Sequence, residues 1–408
     1  MQVYIGIDWS ENKHDVVFMN PSGAAVARLT IPHAPEGFLQ LDQTRQDLGV
    51  TAAECLVAIE TAHNLLIDFL WSRGYSEVYI ISPAVVKSTR GRYGHSGARS
   101  DQQDASLLAD LLRTDRARFR PWHPDSLLTR QIRAKVSFIA HLTRQVTRNS
   151  NRLRAVLLRY YPAALAPFSS LRSQIALEFI RGYPTPQAVQ ALTWPQFRDF
   201  AAQHAYKHPR RLSAYLAQLQ APHPEATPDT VLVYQGEAVL LAEHLLLLVR
   251  AKAQALRELQ VLFEQHPDAS TFASLPGTGP LLAPALLAYF GDDRARFPRA
   301  ENVQSLAGTC PVTDSSGKRK IVRFRYACNR EFRAIAQQWA KASLSESTWA
   351  NAYWHQIRTR CRSNSHAYRC LANRWLSISW KLWQAHQTYD ESYHLQQRAQ
   401  RSRARRPN

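Results

Sequence analysis

Short apolar runs separated by polar turns dominate the first part of the chain. Runs at residues 3–8, 14–19 and 25–31 follow one another closely. Three strands joined by short turns predict an antiparallel meander. Two further apolar runs, at residues 54–60 and 77–81, predict two more strands.

Helical periodicity occupies the segments between and after these strands. Residues 35–48, 65–73 and 101–113 predict helices, whereas the polar, glycine-rich residues 87–99 predict a loop. The resulting order of elements, βββαβαβα, is that of the ribonuclease-H-like fold. We therefore predict an α/β ribonuclease-H-like domain over residues 1–120.

Two long helices with apolar seams are predicted in the middle of the chain, at residues 127–160 and 235–265. Residues 163–233 between them predict helices broken by prolines. The two long helices predict an antiparallel coiled coil or a dimer contact, and two ordinary core helices are the alternative. We assign residues 121–268 to this helical middle part.

A segment with a Gly-x-Gly turn, residues 272–289, predicts a helix-hairpin-helix. The backbone N–H groups of Gly277 and Gly279 could then meet a DNA phosphate. A basic segment and further helices follow, and we assign residues 269–390 to an α-helical C-terminal domain.

Positive charge increases along the chain. The 51 lysines and arginines and the 32 acidic residues give a net charge of +19. Residues 1–120 contribute −2, residues 121–300 contribute +8 and residues 301–408 contribute +13. The chain ends in a basic tail, residues 391–408, whose arginines we expect to be disordered. This gradient favours a polyanion partner, because binding releases counterions from phosphates. A merely solvated basic surface is the alternative.

Apolar runs and cysteines argue against two other classes of protein. The longest apolar stretch, residues 239–249, is interrupted by Glu243 and His244, so we expect no membrane-spanning segment. The five cysteines are dispersed along the chain, which predicts neither a disulfide framework nor a zinc cluster. We expect a protein of the reducing cytoplasm.

Four carboxylates of the first domain are candidate metal ligands. Asp8 ends the first predicted strand, Glu60 ends the fourth, and Asp101 and Asp104 share one face at the start of the last helix. In a ribonuclease-H-like fold these positions converge, and converging like charges need cations to neutralise them. Oxygen ligands select Mg²⁺ or Mn²⁺, which can assist displacement at a phosphodiester. Taken singly, each acid is more simply a cap or a surface charge, and Asp104 an ordinary first-turn acid.

Five segments in a fixed order resemble one family of enzymes: IGIDWSENKHD, VAIETAHN, SDQQDA, LPGTGP and SSGKRK. The chain resembles the DEDD transposases of the insertion-sequence-110 family, and the related Piv/MooV DNA invertases, over essentially its whole length. The resemblance implies a RuvC-like N-terminal domain whose four carboxylates bind Mg²⁺. It also implies that a serine preceding a glycine, here Ser316 before Gly317, attacks a DNA phosphate. Guidance by a structured RNA that the element itself encodes is implied as well.

Ser316 lies in a turn-like Asp-Ser-Ser-Gly segment. It precedes cations that we expect to contact nucleic acid: Lys318, Arg319, Lys320, Arg323 and Arg325. Dense positive charge favours loss of the hydroxyl proton. Without the resemblance, a turn serine or a phosphate contact is the simpler interpretation, and Ser315 is an alternative nucleophile. The family's Lys-x-Gly turn is replaced here by residues 326–329, where we expect Asn329 to adopt the left-handed conformation of a glycine.

These observations predict a DNA recombinase that cuts and rejoins DNA through a covalent serine–DNA intermediate, as a dimer or tetramer. The nearest alternative is a resolvase-like metal-dependent nuclease in which Ser316 is only structural. Gly6 and Asp8 also suit the first strand of a sugar-kinase or actin-like ATPase, but we find no second phosphate-binding glycine loop. A nucleic-acid-binding protein with degenerate carboxylates is disfavoured by the intact quartet.

Overall fold

Five strands near the N-terminus form one mixed sheet. They are β1 (Val3–Trp9), β2 (Lys13–Met19), β3 (Ala25–Pro32), β4 (Cys55–Ile59) and β5 (Glu77–Ile80). Their order across the sheet is β3-β2-β1-β4-β5, with β2 antiparallel to both neighbours and β1, β4 and β5 parallel. The predicted meander and the two later strands are confirmed. The computed structural model describes residues 2–61, 65–92, 100–168, 170–317 and 319–404.

The sheet is accompanied by helices α1 (Pro35–Asp47), α2 (Leu65–Ser72), α3 (Pro83–Thr89) and α4 (Asp101–Asp115). Helices α1, α2 and α4 confirm predicted helices to within about two residues. The prediction of a loop over residues 87–99 is wrong in its first part. Pro83 begins α3, since its fixed backbone suits a first helical turn, and a 3-10 turn continues to Arg92. Residues 93–99 lie outside the described residues.

Alternation along β1 and β4 distributes their side chains between the two faces of the sheet. Ile5 packs in a hydrophobic cluster with α1 and α2, whereas Tyr4 and Leu56 pack in another cluster with α4. Asp8 and Glu60 follow Tyr4 and Leu56 at even spacing. Both acids therefore belong to the face that α4 covers.

A second unit, residues 125–408, is separate from this first unit, residues 1–124. It begins with helices α5 (Leu127–Tyr160), α6 (Gln174–Gly182), α7 (Pro186–Gln190), α8 (Trp194–Gln203), α9 (Leu212–Gln220) and α10 (Pro228–Glu264). Several prolines of this region lie in the first turn of a helix, where the missing N–H is not needed. Helices therefore begin at these prolines and are not interrupted by them.

The two long helices α5 and α10 run antiparallel. Lys135 near the start of α5 contacts Glu258 near the end of α10, whereas Arg152 near the end of α5 donates to Glu237 at 2.6 Å. The predicted bounds of α5 are confirmed, and α10 begins at Pro228 rather than at residue 235. A dimer contact through these helices and the division into residues 121–268, 269–390 and 391–408 stay predictions.

The rest of the second unit adds α11 (Ala269–Ala273), α12 (Gly279–Phe290), α13 (Ala300–Leu306), β6 (Val312–Ser316), β7 (Arg319–Arg323), α14 (Arg330–Ala342), α15 (Thr348–Arg358), α16 (Asn364–Ala385) and α17 (Glu391–Ala404). Trp339, Trp375 and Trp383 are fully buried in its core. The expectation of a disordered tail is wrong as far as Ala404, because α17 extends to that residue. Residues 405–408 lie outside the described residues.

Helix α10 is long and apolar enough to cross a membrane, judged by length and composition alone. Leu245, Leu246 and Leu259 of this helix are buried against the rest of the second unit, whereas Leu232, Leu240 and Leu247 are exposed. Of its most apolar 18-residue window, 33% is buried, and one such helix is weak evidence for a membrane span.

Candidate active site and nucleic-acid-binding surface

The first unit brings the four predicted carboxylates to one edge of the sheet. Asp8 is the penultimate residue of β1, and Glu60 directly follows β4. These two strands are parallel neighbours, so their carboxyl ends lie side by side. Asp101 and Asp104 stand in the first turn of α4. Ser100 caps that helix, because its Oγ accepts the N–H of Gln103 at 3.2 Å; this is one half of the capping box that residues of this type form.

Gly6 allows α4 to lie directly on β1. A Cβ atom built on Gly6 would stand 1.9 Å from the carbonyl oxygen of Ala105 and 2.6 Å from the amide nitrogen of Ala109. Only glycine leaves room for so close an approach between two backbones. Gly6 lies two residues before Asp8 on the same face, so the close packing sets the position of the first turn of α4 relative to the Asp8 carboxylate.

The quartet is electrostatically strained. The pKa of Asp8 is raised from 3.8 to about 7, first by burial and then by repulsion from Asp104, Glu60 and Asp101. Burial and the charge of Asp104 also raise the pKa of Glu60, against an opposing effect of Arg90. Burial and neighbouring negative charge therefore oppose the ionisation of Asp8 and Glu60, which is the behaviour expected of a site that gathers negative charge for a cation.

Two cations of the chain already contact the quartet. Arg90 donates to both carboxylate oxygens of Asp104, from Nε at 3.0 Å and from Nη2 at 2.5 Å. Lys13 Nζ lies 3.4 Å from Asp101 Oδ2. These contacts partly neutralise the two acids of α4, and a bound metal ion would compete with both of them.

A fifth carboxylate, Asp15, adjoins the site. It pairs with Asp8 across the β1–β2 ladder and is only 4% exposed. The Thr30 hydroxyl donates to Asp15 Oδ1 at 2.6 Å, and Lys13 Nζ lies 3.7 Å from Oδ2. Asp15 also raises the pKa of Asp8, as the smallest of the effects on that group.

The oxygen-only donor set fits a hard divalent cation. Among the described residues, however, the quartet contains no three carboxylates whose oxygens all lie within 4.8 Å of one another. Repulsion between like charges and the contact of Arg90 with Asp104 account for this spacing. Side-chain rotation would have to bring the oxygens closer together around a cation.

In the second unit, the predicted serine lies on a β-hairpin. The expectation of a turn-like Asp-Ser-Ser-Gly segment is wrong, because Asp314, Ser315 and Ser316 are the last residues of β6. Ser316 pairs with Arg319 of β7, and Gly317 directly follows β6 in the turn. Gly317 has a φ of +56°, the left-handed conformation that glycine adopts readily in tight hairpin turns.

The hairpin presents its side chains to solvent. Ser315, Ser316, Arg319 and Lys320 are all exposed. Neighbouring residues of a strand point to opposite faces, so Ser315 and Ser316 cannot replace one another on the same face. Arg323 lies 3.3 Å from Asp314, which leaves the cations nearer the turn less compensated. Lys318 lies outside the described residues.

Cations also hold the base of the hairpin. The ring of Phe324 lies between two guanidinium groups, with Arg333 4.4 Å and Arg369 4.6 Å from its centroid. Arg325 donates from Nε to the Cys310 carbonyl at 3.4 Å. The expected left-handed Asn329 is wrong: its φ is −74°, and its side chain caps α14 by accepting the N–H of Phe332. An Asn at this position is therefore explained by capping.

The predicted Gly-x-Gly turn joins α11 to α12. Gly277 and Gly279 have φ values of +75° and +53°. The Gly277 N–H already donates to Glu346 Oε2 at 2.6 Å. A phosphate would have to displace that carboxylate to reach the Gly277 N–H, whereas the space around Gly279 is open. The role of both glycines in DNA contact stays a prediction.

A cavity that the sequence did not indicate lies near the C-terminus of the described residues. Its volume is about 560 Å³, and aromatic and cationic side chains line it, among them Trp349, Tyr353, Tyr389, Arg374 and Lys381. Trp349 itself is only 4% exposed and packs against Tyr353, Trp375 and His394. The residues of the cavity come from α15, α16, α17 and the segment between the last two helices, which no local motif connects.

Comparison with known proteins places the chain in a family. A family profile described as "Transposase", of the DEDD type of IS110, matches residues 5–162, and one described as "Transposase IS116/IS110/IS902 family" matches residues 269–355. A protein of Streptomyces coelicolor, "Mini-circle putative transposase for IS117", is 32% identical over 405 residues, which cover 96% of both chains. The chain belongs to the IS110 family of transposases.

More distant relatives of this transposase match over similar lengths. "Insertion element IS110 uncharacterized 43.6 kDa protein" of Streptomyces coelicolor is 23% identical over 391 residues, 92% of each chain. "Insertion element IS116 uncharacterized 44.8 kDa protein" of Streptomyces clavuligerus is 24% identical over 389 residues, 93% of this chain and 94% of the relative. As an IS110-family transposase, the protein is an enzyme that cleaves and rejoins DNA. The first matched segment contains the quartet and the second contains the serine hairpin.

Proposed function

We propose that the first unit is a ribonuclease-H-like, RuvC-like catalytic domain that binds Mg²⁺ or Mn²⁺ through Asp8, Glu60, Asp101 and Asp104. The sheet order β3-β2-β1-β4-β5, with α4 on the face of both strand-end acids, supports this fold. The observation that carries the proposal is the placement of the acids: Asp8 and Glu60 stand at the carboxyl ends of two parallel neighbouring strands, and Asp101 and Asp104 stand in the first turn of the helix that packs on Gly6. Repulsion between them and burial raise the pKa of Asp8 to about 7, in agreement with this placement. Two cations bound there would stabilise the attacking and leaving oxygens of a phosphodiester.

The residues of the chain prepare this site in defined ways. Gly6 fixes the distance between β1 and α4, and thereby the separation of the acids. Arg90 and Lys13 hold Asp104 and Asp101 through ion pairs while metal is absent. Removing the exposed Lys13–Asp101 pair costs little, whereas the bidentate Arg90–Asp104 pair is the stronger competitor of a bound cation.

In the second unit, Ser316 is the proposed nucleophile. Its Oγ forms an ester bond with the phosphorus of the scissile phosphodiester. The bond from phosphorus to the departing deoxyribose oxygen breaks, that oxygen takes up a proton, and the serine proton leaves to solvent. The ester conserves the energy of the broken bond, so that attack by the deoxyribose hydroxyl of another strand rejoins DNA without an external energy source. The exposed hairpin and its cations support this role.

The net charge of +19 supports nucleic acid as the partner. We propose that Lys318, Arg319, Lys320, Arg323, Arg325 and the turn with Gly277 and Gly279 contact it. A structured RNA encoded by the element would guide the enzyme, and a homodimer or tetramer would hold the several DNA strands of a recombination reaction. The bacterial cytoplasm, at the nucleoid, is the proposed location.

The alternative is a resolvase-like metal-dependent nuclease without a covalent intermediate. The exposure of Ser316 at the end of β6 is also what a phosphate-contacting serine would show. In that case water takes the place of the serine, and the broken phosphodiester cannot be rejoined by the same enzyme without energy input.

Cleavage of cognate DNA by purified protein with Mg²⁺ and the element's RNA separates these possibilities. We expect Asp8→Asn and Ser316→Ala each to lose strand cleavage and to retain DNA binding, whereas Ser315→Ala retains both. Full cleavage by Asp8→Asn would refute the metal site. Cleavage that survives Ser316→Ala would refute Ser316 as the nucleophile, and its survival without any protein–DNA adduct would support the nuclease alternative.

A further inference from the structure

Three side chains that are far from the quartet in sequence form a compact cluster in the second unit. The potential ligand atoms of Cys361, His366 and Cys370 all lie within 4.8 Å of one another. All three side chains are partly buried. The dispersed cysteines predicted no such cluster, because Cys361 and Cys370 are nine positions apart and separated by a helix start.

The local fold explains how the three side chains meet. His366 and Cys370 are four residues apart on α16, so they lie on the same face one turn from each other. Cys361 precedes the helix in the turn that follows α15. Arg358 closes that turn: its Nη1 donates to the Cys361 carbonyl at 3.2 Å, and its Nε donates to the Asn364 side chain. This turn places Cys361 next to the first turn of α16.

We propose that Cys361, His366 and Cys370 bind one zinc ion, with a solvent molecule or an external ligand in the fourth position. Two thiolates and one imidazole are the donors that zinc prefers, and a Cys-x₄-His-x₃-Cys spacing on a turn and a helix lets them converge. In a tetrahedral site with Zn–S bonds of about 2.3 Å the two sulfurs are about 3.8 Å apart. The ligand atoms of the three side chains lie within 4.8 Å of one another, so a shift of about 1 Å between the two sulfurs, through changes of side-chain torsion angles, would bring them to that geometry.

This site differs in chemistry from the carboxylate quartet. Oxygen ligands favour Mg²⁺, whereas thiolates favour softer ions such as zinc, so the two sites would not compete for one metal. The proposal is therefore independent of the role assigned to the quartet.

A metal at this position would fix the base of the serine hairpin. Cys370 is adjacent in sequence to Arg369, whose guanidinium lies over the Phe324 ring at the end of the hairpin. On the next turns, Leu371 and Trp375 enter the fully buried core. Zinc would thus connect the turn before α16 to the first two turns of that helix. Through Arg369, it would also order the segment that carries Ser316. This is a structural role, without contact to the reacting atoms.

Cobalt provides a direct test, because Co²⁺ takes the place of zinc and reports its ligands by absorption. The full-length protein is reduced, stripped with a chelator and titrated with Co²⁺. We expect one equivalent to produce thiolate-to-metal bands in the near ultraviolet and the visible bands of a tetrahedral site, and an equivalent of Zn²⁺ to abolish both. Excess Mg²⁺ should leave them unchanged, since Co²⁺ bound to carboxylates gives no thiolate band.

Variants assign the signal to its ligands. The double variant Cys361→Ser/Cys370→Ser should lose the thiolate bands, and His366→Gln should shift the visible bands and weaken binding at least tenfold. Cys310→Ser is the matched control, because Cys310 lies outside the cluster with its Sγ beside the Ser305 hydroxyl, and it should behave as the wild type. Circular dichroism of each variant shows whether it is folded.

Exchange of the backbone amides gives a second measurement that needs no variant. Zinc should slow hydrogen exchange in residues 361–370 of the wild type at least about tenfold. Three results would overturn the proposal: no thiolate band in the reduced wild type, a band that survives the double variant, or no change in exchange on adding zinc.

Discussion

Replacing Asp8 by asparagine should stabilise the metal-free protein at neutral and alkaline pH while abolishing recombination. The Asp8 carboxylate is half-buried next to three other acids, and its pKa is raised from 3.8 to about 7. Asparagine has nearly the same shape and no charge, so the variant keeps the packing of β1 and removes the repulsion. An acid that lowers the stability of the metal-free protein in this way is expected where its negative charge is needed to bind a cation.

The size of the effect follows from the shift. A group with a raised pKa in the folded state contributes its full stability below pH 3.8 and loses it as the pH rises through about 7. At about 1.4 kcal/mol per pH unit, the complete shift corresponds to about 4 kcal/mol. Asp8 is only partly buried, so solvent screening reduces this figure, and we expect about 2 kcal/mol. The advantage of Asp8→Asn over the wild type should therefore grow by about 2 kcal/mol between about pH 4 and pH 8.

Hydrogen exchange followed by mass spectrometry resolves this effect in the first unit. A chelator keeps both proteins free of metal. At each pH, peptides covering β1 and β2 of the wild type are compared with the same peptides of the variant, so that the intrinsic pH dependence of exchange cancels. Added Mg²⁺ should protect the wild type and not Asp8→Asn. Glu36→Gln, an exposed acid in the first turn of α1, is the control and should show neither effect. If the stability difference between Asp8→Asn and the wild type were the same at about pH 4 and about pH 8, the electrostatic account of the quartet would be refuted.

Three further results are expected. Gly6→Ala should destabilise the first unit by about 1–3 kcal/mol and abolish recombination, because its Cβ would overlap the α4 backbone. Thermal unfolding measures the loss of stability, and Gly91→Ala, a control with open space around the glycine, should unfold like the wild type. Asp101→Asn and Asp104→Asn should each abolish recombination between two plasmid-borne sites while circular dichroism stays unchanged, and a wild-type rate for Asp101→Asn would remove it from the metal site. Deletion of residues 397–408, which removes five arginines, should flatten the salt dependence of DNA binding without changing the site recognised, and an unchanged slope would show that the tail does not contact phosphate.

The quartet could be predicted from the sequence because each acid is tied to the end of a recognisable element. Apolar runs locate the carboxyl ends of β1 and β4, and the serine cap with its following acids locates the start of α4. Parallel strands place their carboxyl ends at one edge, so convergence follows from topology. The role of Gly6 required the structure, since a glycine in a strand does not reveal which backbone approaches it.

Contacts between distant residues were not predictable. Arg90 reaches Asp104 from a 3-10 turn that the sequence suggested to be loop, and Asp15 is brought to Asp8 by the register of an antiparallel pair. Asp15 stands next to Lys13 and His14 at the polar start of β2, so no local pattern distinguished it. Register and side-chain pairing depend on the whole sheet, which a local pattern does not contain.

The serine hairpin was missed for a different reason. Its strands, Val312–Ser316 and Arg319–Arg323, are polar and exposed, so they lack the apolar alternation that identifies a strand. Of the Asp-Ser-Ser-Gly segment that was expected to be turn-like, only Gly317, with its left-handed backbone, lies in the turn. The two strands on either side of this turn form because they pair with each other, and not because their side chains are buried.

The central claim is that Ser316 becomes covalently attached to DNA, and mass spectrometry of the trapped protein–DNA adduct tests it most directly. Wild-type protein is incubated with Mg²⁺, the element's RNA and cognate DNA, denatured, trimmed with nuclease and digested to peptides. We predict a nucleotide on Ser316, and no adduct with Ser316→Ala. Among the competing hydroxyls, Ser315 is exposed next to Ser316 and Tyr326 is 78% exposed, whereas burial raises the pKa of Tyr289 to about 12. A nucleotide on Tyr326, Tyr289 or Ser315, or cleavage without any adduct, would contradict the account.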